Sequence, residues 1–514
     1  MINSEQIKDQ LIISYIKEDG SIGFHKIQIP ESEFYKWVYC SEKDPSRSTS
    51  MLSHDEKAIK KIKTKYLTQH RVTELIQRLP DEIKSTLFKF HKVDKWFMDI
   101  ETSMTHGLKI QELMENPIEQ ILTNTFYSQK TKVATSTGLV KLTGLQIEKI
   151  QARIDAHFKQ LNRTFRWEYR YYTSEELMIL DLLRNDIPRM PFISGWNFKP
   201  FDWAYIIARA EKLKLDVSVV SPTGKMKNSL LKRKFAKKGE GVKTKFPVHR
   251  LITDYQAMYE KFDTSVAIKE SSKLDWVANE LFGVKKVEYN GTLTELYQND
   301  FETYIFYNAV DAIIVSLIDE KINSFDSLRS IAFVANTEID NGLYASKTIE
   351  ALLVKKLYAK NMVIVTDYDE GYKEEMDEVE YDFFKGDDDE SYAGGYVKEP
   401  MPGKFKYVCG WDFQSLFPSI KMMVNSGLDT YLGMREENSK TYISHKDGTR
   451  QNIDDTMVNS VSGAIFTKEK SSVMREIIFD LFFGRVEAGK NADEIEVDIK
   501  NMKELLEKKK NKTA

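Results

Sequence analysis

The sequence predicts a multidomain protein of mixed α/β and α+β construction, and three observations lead there. With 514 residues the chain is too long for one hydrophobic core and implies about three or four domains. Residues 11–29 alternate apolar and polar side chains around Glu18-Asp19-Gly20-Ser21, the pattern of a β-hairpin closed by Asp-Gly. Across 93–320, strand-like and helix-like segments alternate, as an α/β domain requires.

Composition narrows the class. An apolar fraction of 41% with 12% aromatics supports packed domains rather than disorder. The net charge of -3 conceals 75 basic and 78 acidic residues, so local clusters rather than the total charge name a partner. Cys40 and Cys409 form neither a disulfide framework nor a zinc pattern, which places the chain in a reducing compartment. We read no 18-residue apolar run and no signal-peptide apolar region. A soluble cytoplasmic protein without membrane contact is expected.

In chain order, residues 54–90 read as helical with a break at Pro80, and about 1–92 as a small α+β domain without a catalytic signature. Lys95-Trp96-Phe97-Met98-Asp99-Ile100-Glu101 reads as a strand with acids at i and i+2 on one face. Two such carboxylates repel unless a cation lies between them. Alone the pattern is weak, because an acid-x-acid triplet occurs roughly a dozen times by chance in a chain this long. Residues 143–161 form an amphipathic helix, and Thr173 to Glu176 has capping-box spacing before another. Pro191 to Trp203 reads as a buried strand, a turn and a helix starting near Asp202. Tyr304 to Asp311 reads as helical, with Tyr307 and Asp311 four apart on one face.

Between these segments Lys225 to Arg250 carries ten Lys or Arg and one Glu. Gly239-Glu240-Gly241 suits a hairpin tip. The run fits either phosphate contact or a solvated loop. Residues 321–370 read as mainly helical, and the acidic stretch Glu374 to Glu390 as a solvated loop. The run Tyr407-Val408-Cys409-Gly410-Trp411 reads as a strand ending at Asp412. A helix start follows near Pro418. Free N–H groups at such a start bind phosphate, and a neighbouring carboxylate can hold the accompanying cation.

Taken together, Asp99 and Glu101, Asp202, then Tyr307 with Asp311 match the three exonuclease motifs of the DEDDy type. Adding Gly195-Trp196-Asn197, Gly395-Tyr396-Val397-Lys398-Glu399-Pro400 and Asp412 to Ile420, the chain resembles family B DNA polymerases. Within them it is most similar to the replicative polymerases of T-even-like phages. The resemblance implies an N-terminal domain at 1–92, completed by about 321–365. It implies a ribonuclease H-like 3′→5′ proofreading exonuclease domain at 93–320. Part of the palm at 366–468 and the first part of helical fingers at 469–514 would follow. Asp99, Glu101, Asp202 and Asp311 would hold two divalent cations, Mg²⁺ or Mn²⁺, and Tyr307 would orient the attacking water.

The same resemblance makes Asp412 the first of two palm aspartates, with the Phe413 carbonyl as a further metal ligand. Backbone N–H groups of Ser415 and Leu416 would hold the triphosphate of an incoming dNTP. Phe417 stands where the family usually has Tyr, under the sugar, and loses only the phenolic oxygen. Lys421 stands where an apolar residue is usual. Arg485 falls where the first finger helix puts a triphosphate-binding Arg, although Gly484 and Gly489 are odd in a helix. No counterpart of the second finger helix, the Asp-Thr-Asp palm motif or the thumb is read. The expectation is the N-terminal subunit of a split DNA polymerase. Its partners would be primer-template DNA, a single-stranded 3′ end, dNTP and a second chain carrying the remaining palm, fingers and thumb. A replisome clamp would be reached through that second chain. A free-standing exonuclease with a vestigial palm, or a non-enzymatic nucleic-acid-binding fragment, are the alternatives.

Overall fold

The computed structural model describes residues 1–107, 110–231, 241–263, 271–284, 287, 289, 291–365, 367–368, 399, 401–410, 413, 415–435, 442–445 and 449–513. It divides into two compact units, 1–31 with 78–349 and 32–77 with 350–514.

In the first unit the expected hairpin is present. Gln10–Ile16 pairs antiparallel with Ile22–Gln28, and Asn3–Ile7 adds a third strand. Gly20 closes the turn at φ +85°, a conformation that favours glycine.

The larger sheet has six strands in the order Arg166–Tyr171, Val133–Gly138, Ile121–Ser128, Lys95–Thr102, Phe192–Ser194 and Leu251–Ile252. Ile121–Ser128 runs antiparallel to both its neighbours, and the other pairings are parallel. Period-two alternation along Lys95–Thr102 divides its side chains between two cores. Phe97 packs with Ala309, Val310 and Ile313 of the helix Phe301–Ile322. Met98 and Ile100 pack on the other face with Trp203, Ile206 and Ile207. Asp99 and Glu101 follow Phe97 in phase, so they share the face covered by that helix.

Helix Phe301–Ile322 buries 16 of its 22 residues. It is long and apolar enough to cross a membrane by length and composition, where the sequence reading found no such run. Its 18-residue window is 78% buried inside the protein, and a helix apolar all round is what the centre of a large core demands. Asp319, on its last turns, is buried and accepts from Lys95 Nζ at 2.6 Å and from the Tyr255 hydroxyl at 3.0 Å. The pair fastens the start of the central strand to the core helix. Asp319→Ala would leave the Lys95 ammonium buried without this carboxylate, and should cost about 3–5 kcal/mol in urea unfolding.

Two helix assignments need correction. Within 54–90 the helices are Gln69–Gln77 and Asp81–Leu87, but Ile59–Lys63 is a strand. Tyr35–Tyr39 pairs antiparallel with it, and Lys61 lies over the Tyr35 ring at 4.1 Å, so tertiary pairing overrides helical propensity. The cap before Glu175–Asp181 is Ser174, whose side chain accepts from Leu177 N, one residue after the expected Thr173. The helix expected at 143–161 is Gly144–His157 followed by the 3-10 turn Lys159–Leu161, and Thr143 with Gln146 forms a capping box ahead of it.

In the second unit Tyr35–Tyr39 also pairs with Asp367–Tyr368, and Leu52–Ser53 pairs with Met362–Val363. The mainly helical reading of 321–370 therefore ends in two short strands, because each finds a parallel partner from 35–53. A five-stranded antiparallel sheet follows the order Arg450–Asn452, Tyr442–His445, Tyr431–Arg435, Ala464–Thr467, Met457–Asn459. Helix Leu416–Met423 precedes it and helix Val473–Thr513 ends the chain. Leu357, Met362, Val473 and Ile477 form a small core there. Residues 407–410 are not a strand as expected. Tyr407 and Val408 are 97% and 78% exposed, and no strand among the described residues pairs with them, so no ladder fixes an extended backbone.

Candidate active site

The exonuclease-type acids converge in the first unit. Asp99 and Glu101 project from Lys95–Thr102 toward the helix that carries Tyr307, Asn308 and Asp311. Asn308 Nδ2 donates to Asp99 Oδ2 at 2.7 Å. Asp202 reaches the same strand by another route. It lies in the π-helical turn Lys199–Trp203, and its Oδ1 accepts from the Ile100 amide at 3.0 Å, between the two strand acids. A π-turn shifts the side-chain phase within a helix and is common at functional sites. Trp203 anchors that turn, being fully buried with its indole N–H donating to Lys245 O. Gly195 makes the approach possible, since a Cβ there would stand 2.3 Å from Met98 O.

Electrostatics joins the four acids. Burial holds the Asp99 carboxyl well above the usual carboxylate range, and Asp202, Glu101 and Asp311 push it further. Asp202 is raised by burial, and also by Asp254 and Asp311, against the lowering effect of the Ile100 amide. The Tyr307 phenol is raised by burial and by Asp311, with which it is hydrogen-bonded, and by Glu101 and Asp99. It therefore stays protonated.

This donor set is all oxygen and multiply acidic, which suits a hard divalent cation. The mutual repulsion is what such a cation would relieve. Among the described residues no group of three or more His, Cys, Asp or Glu already stands drawn together tightly enough to hold one ion.

The folded-state pKa of Asp202 is raised, so in chelator its charged form opposes folding. That penalty is absent below the unfolded value near 3.8 and grows as pH rises through the folded value. Asp202→Asn keeps an oxygen for the Ile100 amide. With chelator present, its stability advantage over the unchanged protein should widen as pH rises, in urea melts at several pH values.

A cleft of about 620 Å³ opens beside Asp311, lined by Trp196, Asn197, Gln256, Lys273 and Asp275 among others. Asp254, Thr125 and Lys273 were not singled out by sequence reasoning. Asp254 caps Tyr255–Phe262 through the Ala257 amide, a signal visible in sequence as an Asp before a helix. Thr125 gave no such signal, because its role depends on strand register.

The basic run forms a hairpin, Met226–Leu231 against Val242–Pro247, while residues 239 and 240 of its expected tip lie outside the described residues. Several of its cations are engaged within the protein. Lys225 pairs with Glu5, Lys245 pairs with Glu211, and Arg250 donates to the carbonyls of Val220, Met190 and Pro188.

In the second unit Asp412 lies outside the described residues, as do Glu374 to Glu390 and residues 395–398 and 400. Phe413 is 76% exposed. Ser415 adopts φ 57° as the residue before helix Leu416–Met423. The Leu416 amide therefore belongs to a first helical turn, whose N–H groups lack intrahelical acceptors. Phe417 is 79% exposed, and Arg485 lies exposed on helix Val473–Thr513.

A family model described as DNA polymerase family B, exonuclease domain, matches residues 38–277, and one described as DNA polymerase family B matches 342–511. The DNA-directed DNA polymerase of Escherichia phage RB69 is 25% identical over 323 residues, covering 62% of this chain and 33% of that protein. That of Enterobacteria phage T4 is 25% identical over 348 residues, covering 66% and 35%. DNA polymerase 1 of Pyrococcus abyssi is 27% identical over 281 residues, covering 52% and 32%. The chain thus spans about a third of the length of the curated relatives it matches. It belongs to DNA polymerase family B and carries that family's exonuclease domain with part of its polymerase domain.

Proposed function

We propose that this chain is the N-terminal subunit of a split phage DNA-directed DNA polymerase. Its first unit removes nucleotides from a DNA 3′ end. Its second unit contributes half of the polymerase site and needs a second chain for synthesis. The observation that carries the exonuclease reading is the convergence of Glu101, Asp202 and Asp311 on Asp99, whose carboxyl they raise after burial has done so, with Asp311 also raising Asp202. Held by these carboxylates, two divalent cations would activate water and stabilise the leaving 3′ oxygen. Tyr307, kept protonated, offers an O–H to orient the attacking water. The cleft beside Asp311 would receive the terminal nucleotide, with the exposed Lys273 facing its phosphate.

Support for a second chain comes from the surface of the second unit. Helix Leu416–Met423 has no buried residue. Leu416, Phe417, Ile420 and Met423 on it are 41%, 79%, 43% and 71% exposed. Exposed apolar faces of this kind mark interaction sites, and the remaining palm is the occupant proposed here. A free-standing exonuclease is the second reading, favoured by the fact that all four acids lie within one unit.

Incubation of the chain alone with 5′-labelled single-stranded DNA and Mg²⁺ tests the exonuclease assignment. A ladder of products shortened one nucleotide at a time is expected. Internal cuts, or no digestion, would refute it.

A further inference from the structure

A row of buried polar side chains crosses the sheet at the level of Asp99. Asp99 lies opposite Thr125 in the strand register, and Thr125 lies opposite Ser136. Thr125, Ser136 and Asn308 are all fully buried. Trp167 Nε1 donates to Ser136 Oγ at 2.9 Å, and Ser136 Oγ and Thr125 Oγ1 are 2.6 Å apart. Thr125 Oγ1 donates to Asn308 Oδ1 at 2.5 Å, and Asn308 Nδ2 donates to Asp99 Oδ2 at 2.7 Å.

The direction of this chain follows from its ends. An indole nitrogen can only donate and an amide oxygen can only accept. Thr125 has one hydroxyl proton and spends it on Asn308 Oδ1, so Ser136 must donate to Thr125. Every hydrogen bond then points toward Asp99. The Asn308 amide has its nitrogen facing the carboxylate, because a flip would set Asn308 Oδ1 against an Asp99 carboxylate oxygen. Four buried polar groups in an otherwise apolar core are costly unless mutually satisfied. This row is satisfied, and it terminates on an acid that is central to the cluster.

We propose that Asn308 is a positioning residue, held by the Thr125–Ser136–Trp167 chain, that sets the orientation of the Asp99 carboxylate for divalent-cation binding. The inference rests on the exonuclease reading above. Groups behind a metal ligand that fix its orientation typically contribute 10–100-fold in metal affinity.

The test is direct Mn²⁺ binding to the full chain, read as loss of the free-ion electron paramagnetic resonance signal, with no DNA present. Asn308→Ala and Thr125→Val should each weaken binding by about 10–100-fold. Thr125→Ser, which keeps the hydroxyl, should restore affinity to within a few-fold. Equal weakening by Thr125→Val and Thr125→Ser would overturn the proposal in favour of simple packing. So would unchanged affinity in Asn308→Ala and Thr125→Val. If Asn308→Ala does not fold, the Thr125 pair decides the matter. Absence of Mn²⁺ binding to the unsubstituted chain would remove the exonuclease reading itself, an outcome distinct from unaffected variants of a binding parent.

Discussion

Asp99→Ala should abolish Mg²⁺-dependent digestion of single-stranded DNA, with a loss on the order of 10³-fold or more. Asp99 is the acid on which the others converge electrostatically, and it takes the hydrogen bond from Asn308. Its removal deletes a ligand and leaves the Asn308 donor facing a void. A metal site that stabilises a developing charge contributes several kcal/mol to the barrier, and each 1.36 kcal/mol is tenfold in rate. The unfolding midpoint should stay near that of the parent, because the substitution removes a buried carboxylate whose charge opposes folding. Digestion at a rate close to the parent would sink the assignment of Asp99 as a ligand.

The second large effect concerns synthesis. Primer extension should be undetectable with this chain alone. It should appear on adding a polypeptide that carries the second finger helix and the Asp-Thr-Asp motif, and be lost again with Asp412→Ala in the reconstituted pair. The argument is stoichiometric: a two-cation palm site needs carboxylates from two motifs, and Asp412 would supply one of them. The exposed apolar side chains at 416–423 give the added chain a surface to bury. Measurable extension by this chain alone would refute the split arrangement. Digestion that persists unchanged while the added chain produces no extension would favour the free-standing exonuclease.

Much of the candidate acidic cluster was legible in sequence because it rests on short-range periodicities. Asp99 and Glu101 share a strand face by the rule of two. Tyr307 and Asp311 share a helix face by the rule of four. The hairpin around Gly20 and the amphipathic helix beginning at 143 were equally local. The failures were of a different kind. Ile59–Lys63 was read as helix because its ladder partner lies at 35–39, twenty or more residues away. The run at 407–410 was read as strand because apolar residues favour one, yet strand structure needs a neighbour to pair with. Helix Phe301–Ile322 was not recognised as one long apolar element, since its interior polar residues interrupt the hydropathy. One of them, Asn308, turns out to donate to Asp99.

The sequence by itself therefore determined the order and spacing of the candidate acids, and the polymerase family to which the chain belongs. Identity and spacing along one chain suffice for that. Only the tertiary structure decided how Asp202 reaches the central strand, through a π-turn and the Ile100 amide, and how Asn308, Thr125 and Ser136 line up behind Asp99. Those relations depend on strand register and on the packing of one helix across three strands. Residues nearly two hundred positions apart become hydrogen-bond partners there, and no local pattern in a chain encodes that distance.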